Sequence, residues 1–146
     1  MTTISLKDMP QRVHLVGIGG IHMSAIAKIL KSRGHFVTGS DLQKSPIIDD
    51  LMQLGITIFQ GHSSNNIGNA ELIIHTAATT KDNPEVIEGN ERGIPIIKRA
   101  QAVACIMNGK KSIAVAGSHG KTTTSTIISY MLWKAGLDPT ILLGGE

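Results

Sequence analysis

A chain of 146 residues with a net charge of +3, 41% hydrophobic and 17% charged residues, has room for one ordinary domain, or a small domain plus part of another, and is not disordered. Its four aromatics (Phe36, Phe59, Tyr130, Trp133) are too few for base-stacking platforms, so no nucleic-acid partner is expected. The lone Cys105 excludes an internal disulfide and reads as a small core residue, and the lack of a signal peptide or membrane-length apolar run predicts a cytoplasmic protein with no membrane partner.

In chain order, 13–18 reads as a short buried strand that runs into Gly19-Gly20-Ile21-His22-Met23-Ser24 and a helix. Ile21, Ala25, Ile26, Ile29 and Leu30 mark its expected apolar face, Lys28, Lys31 and Arg33 its wet one, and Gly34 its stop. A second strand, 35–40, ends at Asp41, which makes a right-handed βαβ unit. Gly17, Gly19 and Gly20 permit a tight turn in which backbone N–H groups approach a diphosphate. Asp41, 21 residues after Gly20, stands where a carboxylate takes ribose hydroxyls. The third glycine of the dinucleotide fingerprint would fall at His22, so the pattern supports a ribose-diphosphate ligand without fixing its base.

Ser45-Pro46 reads as the N-cap and first residue of a helix through Leu54, stopped by Gly55, and 56–59 as a third strand. His62 follows in a polar loop, 61–66, at the end of an α/β sheet where ligands bind. A fourth strand, 72–75, leads into Thr76-Ala77-Ala78-Thr79-Thr80. Asn83 caps a helix with Pro84 first, Glu85 in its first turn and Gly93 just beyond. A fifth strand, 95–98, a helix, 100–107, and an Asn108-Gly109 turn complete domain 1–108. The alternation of strand and helix predicts a doubly wound parallel sheet.

A second unit, 109–146, opens with an apolar strand, 113–116, that breaks at Gly117-Ser118-His119-Gly120-Lys121-Thr122-Thr123. A helix to Lys134 follows, with Ile127, Ile128, Met131, Leu132 and Ala135 on one stripe, then a strand, 140–143. Strand, glycine turn, Lys-Thr and helix form a triphosphate cradle. The helix N-terminus attracts phosphate, Lys121 reaches the β/γ-phosphates, and the Thr122 hydroxyl ligates Mg²⁺. The loop is two residues shorter than the commonest such motif, because Val115 stands where that form has its first glycine.

The two glycine turns in this order resemble the Mur ligase family, ATP-dependent amide-forming enzymes of peptidoglycan synthesis. The resemblance rests on 16–24, 39–42, Lys81-Asp82-Asn83-Pro84-Glu85, Glu91-Arg92-Gly93-Ile94-Pro95 and 116–124, and spans 12–145. Members usually have Gly at the positions of His22 and Ala25, and Thr at that of Ser118. The resemblance implies a Rossmann-like first domain that binds the UDP part of UDP-N-acetylmuramate, followed by the beginning of a P-loop ATPase domain. Gly17, Gly19, Gly20 and the N–H groups of Ile21, His22, Met23 and Ser24 would carry the diphosphate; Asp41, Leu42, His62, Thr76 and Ala77 would line the uridine end. Gly117 to Thr123 would hold ATP, with Lys121 and Thr122 the catalytic pair and Mg²⁺ on Thr122.

In the family reaction so implied, the muramic carboxylate is phosphorylated to an acyl phosphate, which the amine of L-alanine attacks. Family members have three domains, so this chain is expected to bind a uridine nucleotide without turnover. Three alternatives stay open: a ligase that joins a recovered tripeptide to the same nucleotide sugar, an NAD-binding dehydrogenase, and a non-catalytic nucleotide-binding module. Oligomeric state is not legible.

Overall fold

In a computed structural model, residues 8–108 and 110–143 are described; Gly109 of the expected turn lies outside them. The chain divides into two compact units, one ending at Lys110 and the other beginning at Lys111. In the first, five strands, β1 (Arg12–Val16), β2 (Phe36–Asp41), β3 (Thr57–Gln60), β4 (Leu72–His75) and β5 (Ile96–Lys98), alternate with helices α1 (Ile21–Ser32), α2 (Pro46–Gln53), α3 (Pro84–Glu91) and α4 (Arg99–Met107). The strands form one parallel sheet in the order β3-β2-β1-β4-β5. The order reverses between β1 and β4, which places a topological switch point at their C-terminal ends.

Alternation along the strands divides the sheet's two faces. Val13, Leu15, Val37, Leu72 and Ile74 pack with Met23, Ile26, Ala27 and Leu30 of α1, Leu51 of α2, and Ala102, Cys105 and Ile106 of α4. Cys105 is buried there as a small core residue, and burial pushes its thiol pKa up. The opposite face carries a smaller cluster of Val16, Ile67 and Ile73, packed with Ile94 and Ile96. The helix caps are those expected: Ser45 accepts from the Ile48 N–H, and Asn83 from those of Glu85 and Val86. One expectation for α1 needs correcting. Ile21 is 48% exposed, because it is the first helical residue and lies beyond the C-terminal end of the central strand β1; Met23, Ser24 and Ala27 are buried in its place.

The second face also buries a polar cluster. The Glu85 carboxylate, at the start of α3, accepts from Ser40 Oγ of β2 (2.7 Å), Asn66 Nδ2 (2.7 Å) and His62 Nδ1 (3.0 Å). His14 of β1 is fully buried with its Nε2 3.6 Å from Glu85 Oε1, an electrostatic contact too long for a formed hydrogen bond. Its Nδ1 meets Thr38 Oγ1 at 2.8 Å, which suits a tautomer with the proton on Nε2, facing the carboxylate. Burial opposes ionisation of Glu85, but the neighbouring His14 imidazole and the hydrogen bonds from Ser40 and Asn66 outweigh it and bring its pKa down to about 2.

Among the described residues of the second unit one regular element forms, α5 (Lys121–Lys134). The strands expected at 113–116 and 140–143 are absent: a strand exists only where a neighbour satisfies its N–H and C=O groups, and neither run is paired. The expected apolar stripe of α5 is likewise not buried, with Ile127 54% and Met131 63% exposed. Trp133 packs against Tyr130 at a ring separation of 6.1 Å, with Lys134 Nζ over both rings.

Two stability measurements check this packing. A Cβ on Gly39 would come within 2.8 Å of the Leu15 carbonyl oxygen and of Ile18 Cβ, so Gly39→Ala should cost about 1–3 kcal/mol in urea denaturation. Because the folded pKa of Glu85 lies below its ordinary 4.5, its contribution is complete above that pH and is lost as pH falls towards 2. Stability should drop by up to about 3 kcal/mol through that window, and Glu85→Gln, weaker at pH 7, should show a flatter acid limb.

Candidate functional site

At the end of β1 the chain must turn without leaving the sheet edge. The Ser40 carbonyl of β2 accepts from both the Gly17 and Ile18 N–H groups, at 2.8 and 3.0 Å, and the Gly20 N–H closes back on the Gly17 carbonyl. Gly17 takes the left-handed conformation this requires, φ 77°. The Gly19 N–H donates to Asp41 Oδ2 at 2.9 Å, and a Cβ on Gly19 would stand 2.9 Å from that same oxygen. A side chain at this position would have to push the Asp41 carboxylate and the Ile48 Cδ1 aside.

The turn delivers the first residues of α1 with their amides unpaired. Gly20 offers no side-chain cap, the first turn has no acidic residue, and the N–H groups of Ile21, His22 and Met23 find no acceptor among the described residues. The Ser24 N–H, expected to join them, donates instead to the Gly20 carbonyl at 2.8 Å, as the first bond of the helix. The Met23 and Ser24 side chains are buried, and Ser24 Oγ bonds the Ile21 carbonyl. Three amides at the positive end of a helix dipole suit an anion.

These amides face an open cleft of about 240 Å³, lined by Gly20, Ile21, His22, Met23, Thr76 and Arg99. Arg99, the first residue of α4, reaches the cleft from the end of β5. It is not among the residues expected from the sequence. Its position just past a strand's C-terminal end is the signal that would have found it. Burial, and then the Arg99 guanidinium, push the His22 pKa below its usual range. His22 is therefore neutral at pH 7, and Arg99 is the cleft's lasting cation.

The residues expected at the uridine end are spread along the neighbouring strand ends. Asp41 uses one oxygen on Gly19 and the other on the Gln43 N–H (3.0 Å), so its first role is to brace the turn. Each of its oxygens retains a lone pair for a hydroxyl. Leu42 is 66% exposed, Ala77 is exposed, and Thr76 lies between Gly17 and Thr79 Oγ1. His62 is held in place with its side chain 20% exposed: its Nδ1 lies 3.0 Å from Glu85 Oε2 and 3.1 Å from Ser40 Oγ. The sequence reading missed this anchor, taking Glu85 as a residue of the helix's first turn. A histidine in the apolar strand 13–18 was the available sign of a buried polar partner.

In the second unit, Gly117, Ser118, His119 and Gly120 form an exposed bend, and Gly120 caps α5 without any side-chain hydrogen bond. Lys121 Nζ folds back to donate to the Gly117 carbonyl at 2.6 Å, so it lies across the bend. Thr122 and Thr123 are exposed in the first turn. The bend is open to solvent and not packed shut.

Residues 12–111 match the Mur ligase family, catalytic domain. The chain is 50% identical over 93% of its length to a UDP-N-acetylmuramate–L-alanine ligase of Clostridium tetani, and 46% identical over 97% to that of Syntrophus aciditrophicus. It spans about 30% of the length of these relatives. Among solved structures, it superposes on the UDP-N-acetylmuramate–alanine ligase MurC of Thermotoga maritima with a TM-score of 0.80 and 36% identity, covering 86% of this chain and 30% of that one. The ligase Mpl of Neisseria meningitides, which takes UDP-N-acetylmuramate and L-alanyl-γ-D-glutamyl-meso-diaminopimelate, gives 0.83 and 30%, covering 94% and 44%. With two thirds of its residues inside the family match and its sheet laid out as in two solved members, this chain belongs to the Mur ligase family.

Proposed function

We propose that the chain carries the nucleotide-sugar site and the phosphate loop of an ATP-dependent ligase that joins L-alanine to UDP-N-acetylmuramate in peptidoglycan biosynthesis. The observation that carries the reading is the cleft at the switch point, where the unpaired amides of Ile21, His22 and Met23 stand opposite Arg99. A diphosphate there would accept from the amides on one side and from the guanidinium on the other. Asp41, Leu42, His62, Thr76 and Ala77, along the adjoining strand ends, would take the uridine. The relatives at 46–50% identity support L-alanine as the amino acid, whereas the tripeptide-adding Mpl resembles the chain at 30%.

The bend from Gly117 to Thr123 is the second partner's site. ATP would displace the Lys121 ammonium from the Gly117 carbonyl and draw it onto the phosphates, an exchange that keeps its charge hydrogen-bonded throughout. The exposed Thr122 hydroxyl is a hard oxygen donor of the kind Mg²⁺ selects, so it would hold the ion that accompanies ATP. When bound, Mg²⁺ supplies charge neutralisation for phosphoryl transfer to the muramic carboxylate. Lys121 would then stabilise charge on the γ-phosphoryl oxygens while the acyl phosphate forms and awaits the L-alanine amine. The complete reaction is assigned to the full-length ligase, and the cytoplasm, where ATP and nucleotide sugars are held, is the compartment that fits it.

Calorimetric titration of the chain with UDP and with NADH tests the reading. UDP should bind and NADH should not; NADH binding with none for UDP would point to a dehydrogenase-like site instead. Arg99→Ala should weaken UDP by about tenfold or more, the usual loss for a charge-assisted hydrogen bond. The His22 pKa followed by NMR should rise when UDP binds, because an anion favours the charged imidazole that Arg99 and burial disfavour. An unmoved His22 would place the diphosphate elsewhere.

A further inference from the structure

The buried cluster around Glu85 joins two walls of the proposed site. Ser40 is the shared element. Its carbonyl holds the Gly17 and Ile18 amides, and so shapes the first glycine turn, while its hydroxyl donates to Glu85 Oε2 at 2.7 Å. The same carboxylate oxygen lies 3.0 Å from His62 Nδ1, and the other accepts from Asn66 Nδ2 at 2.7 Å. Asn66 also donates to the Gly61 carbonyl at 3.1 Å, so the loop that follows β3 is tied down at both its start and its middle. Glu85 itself is fixed from behind, where Asn83 Oδ1 accepts its backbone N–H at 2.9 Å.

We propose that Glu85 is a positioning residue of the nucleotide cleft: its buried carboxylate sets the separation and orientation of the Gly17–Gly20 turn and the His62 loop. The proposal rests on the uridine-nucleotide reading above and assigns Glu85 no contact with the ligand. Three donors converge on the carboxylate from three segments, Ser40 of β2, His62 of the loop and Asn66 of the 3-10 turn Ser64–Ile67. A fourth group, His14 of β1, faces it from the sheet floor at 3.6 Å. A fully buried ionised group is stable only while such donors stay in place, so each donor's backbone is held as firmly as the charge demands. Because His62 Nδ1 is spent on Glu85 and Ser40, the imidazole has one orientation, and its Nε2 is the nitrogen left to meet a ligand.

Glu85→Gln is the direct test. The amide keeps the shape but replaces one accepting oxygen with a donor, which opposes Asn66 or the Ser40–His62 pair. With folding checked by thermal melting, UDP affinity of the folded variant should fall by about tenfold or more. The His62 ring nitrogens should also shift in NMR, from one fixed tautomer towards a mixture. A purely structural Glu85 would lower the melting temperature and leave the affinity of the folded chain unchanged, and that result overturns the proposal.

Should Glu85→Gln not fold, Asn66→Ala decides, since it removes one donor from the half-buried side. It should weaken UDP in the same sense by a smaller factor, and unchanged affinity overturns the proposal equally. If the unaltered chain binds no UDP, the nucleotide reading has failed and this inference falls with it. That result is distinct from a variant that binds as well as the parent.

Discussion

One carbonyl oxygen governs the geometry of this chain's first unit. Ser40 O accepts both the Gly17 and Ile18 N–H groups, which pulls the end of β1 against β2 and forces the backbone to reverse at once into α1. The reversal uses up the amides of Gly17, Ile18, Gly19 and Gly20 on protein acceptors and leaves those of Ile21, His22 and Met23 without any among the described residues. Orphan donors at a helix start are ordinarily capped by a side chain or by water. Here the cap position is glycine and the facing wall supplies a cation, Arg99, where a protein-internal solution would supply an acceptor. An anion would complete the arrangement.

The two units differ in how far their apolar residues are satisfied. In the first, α1, α2 and α4 bury one face of the sheet, and α3 with the 3-10 turn covers part of the other. In the second, α5 buries no residue, and Ile113, Ile127, Tyr130, Met131, Trp133, Leu137 and Ile141 are all exposed. A helix holds its apolar face only when something packs on it, and an apolar run becomes a strand only beside another strand. The bend from Gly117 to Gly120 nevertheless keeps its form, because Gly120, the start of α5 and the Lys121 link to the Gly117 carbonyl are all local.

That difference explains how much was legible in the sequence. Elements whose signals are local were readable to within a residue or two: the 72–75 strand, the Ser45-Pro46 and Asn83-Pro84 helix starts, and the Gly117–Lys121 bend. The strands at 113–116 and 140–143 carried the right composition but depend on a pairing partner, which composition does not reveal. Ile21 looked like part of an apolar face because periodicity ignores where a helix enters the sheet. Arg99 and the His14–Glu85–His62 cluster escaped for a related reason. Arg99 meets the amides of α1 from the start of α4, and the cluster joins β1, the loop after β3 and the start of α3; each residue alone has an ordinary local explanation. His14 in an otherwise apolar strand was the one local oddity, since a buried imidazole needs partners, and those it meets, Thr38 and Glu85, lie 24 and 71 positions away.

The measurement that bears most directly on the central claim is a backbone-amide NMR titration of this chain with UDP. The largest shifts should fall on the amides of Ile21, His22 and Met23, with the Arg99 side chain moving in step. Ser24, whose N–H is already bonded to Gly20, should respond less. Saturable UDP binding that leaves those three amides unmoved and perturbs another surface would contradict that claim.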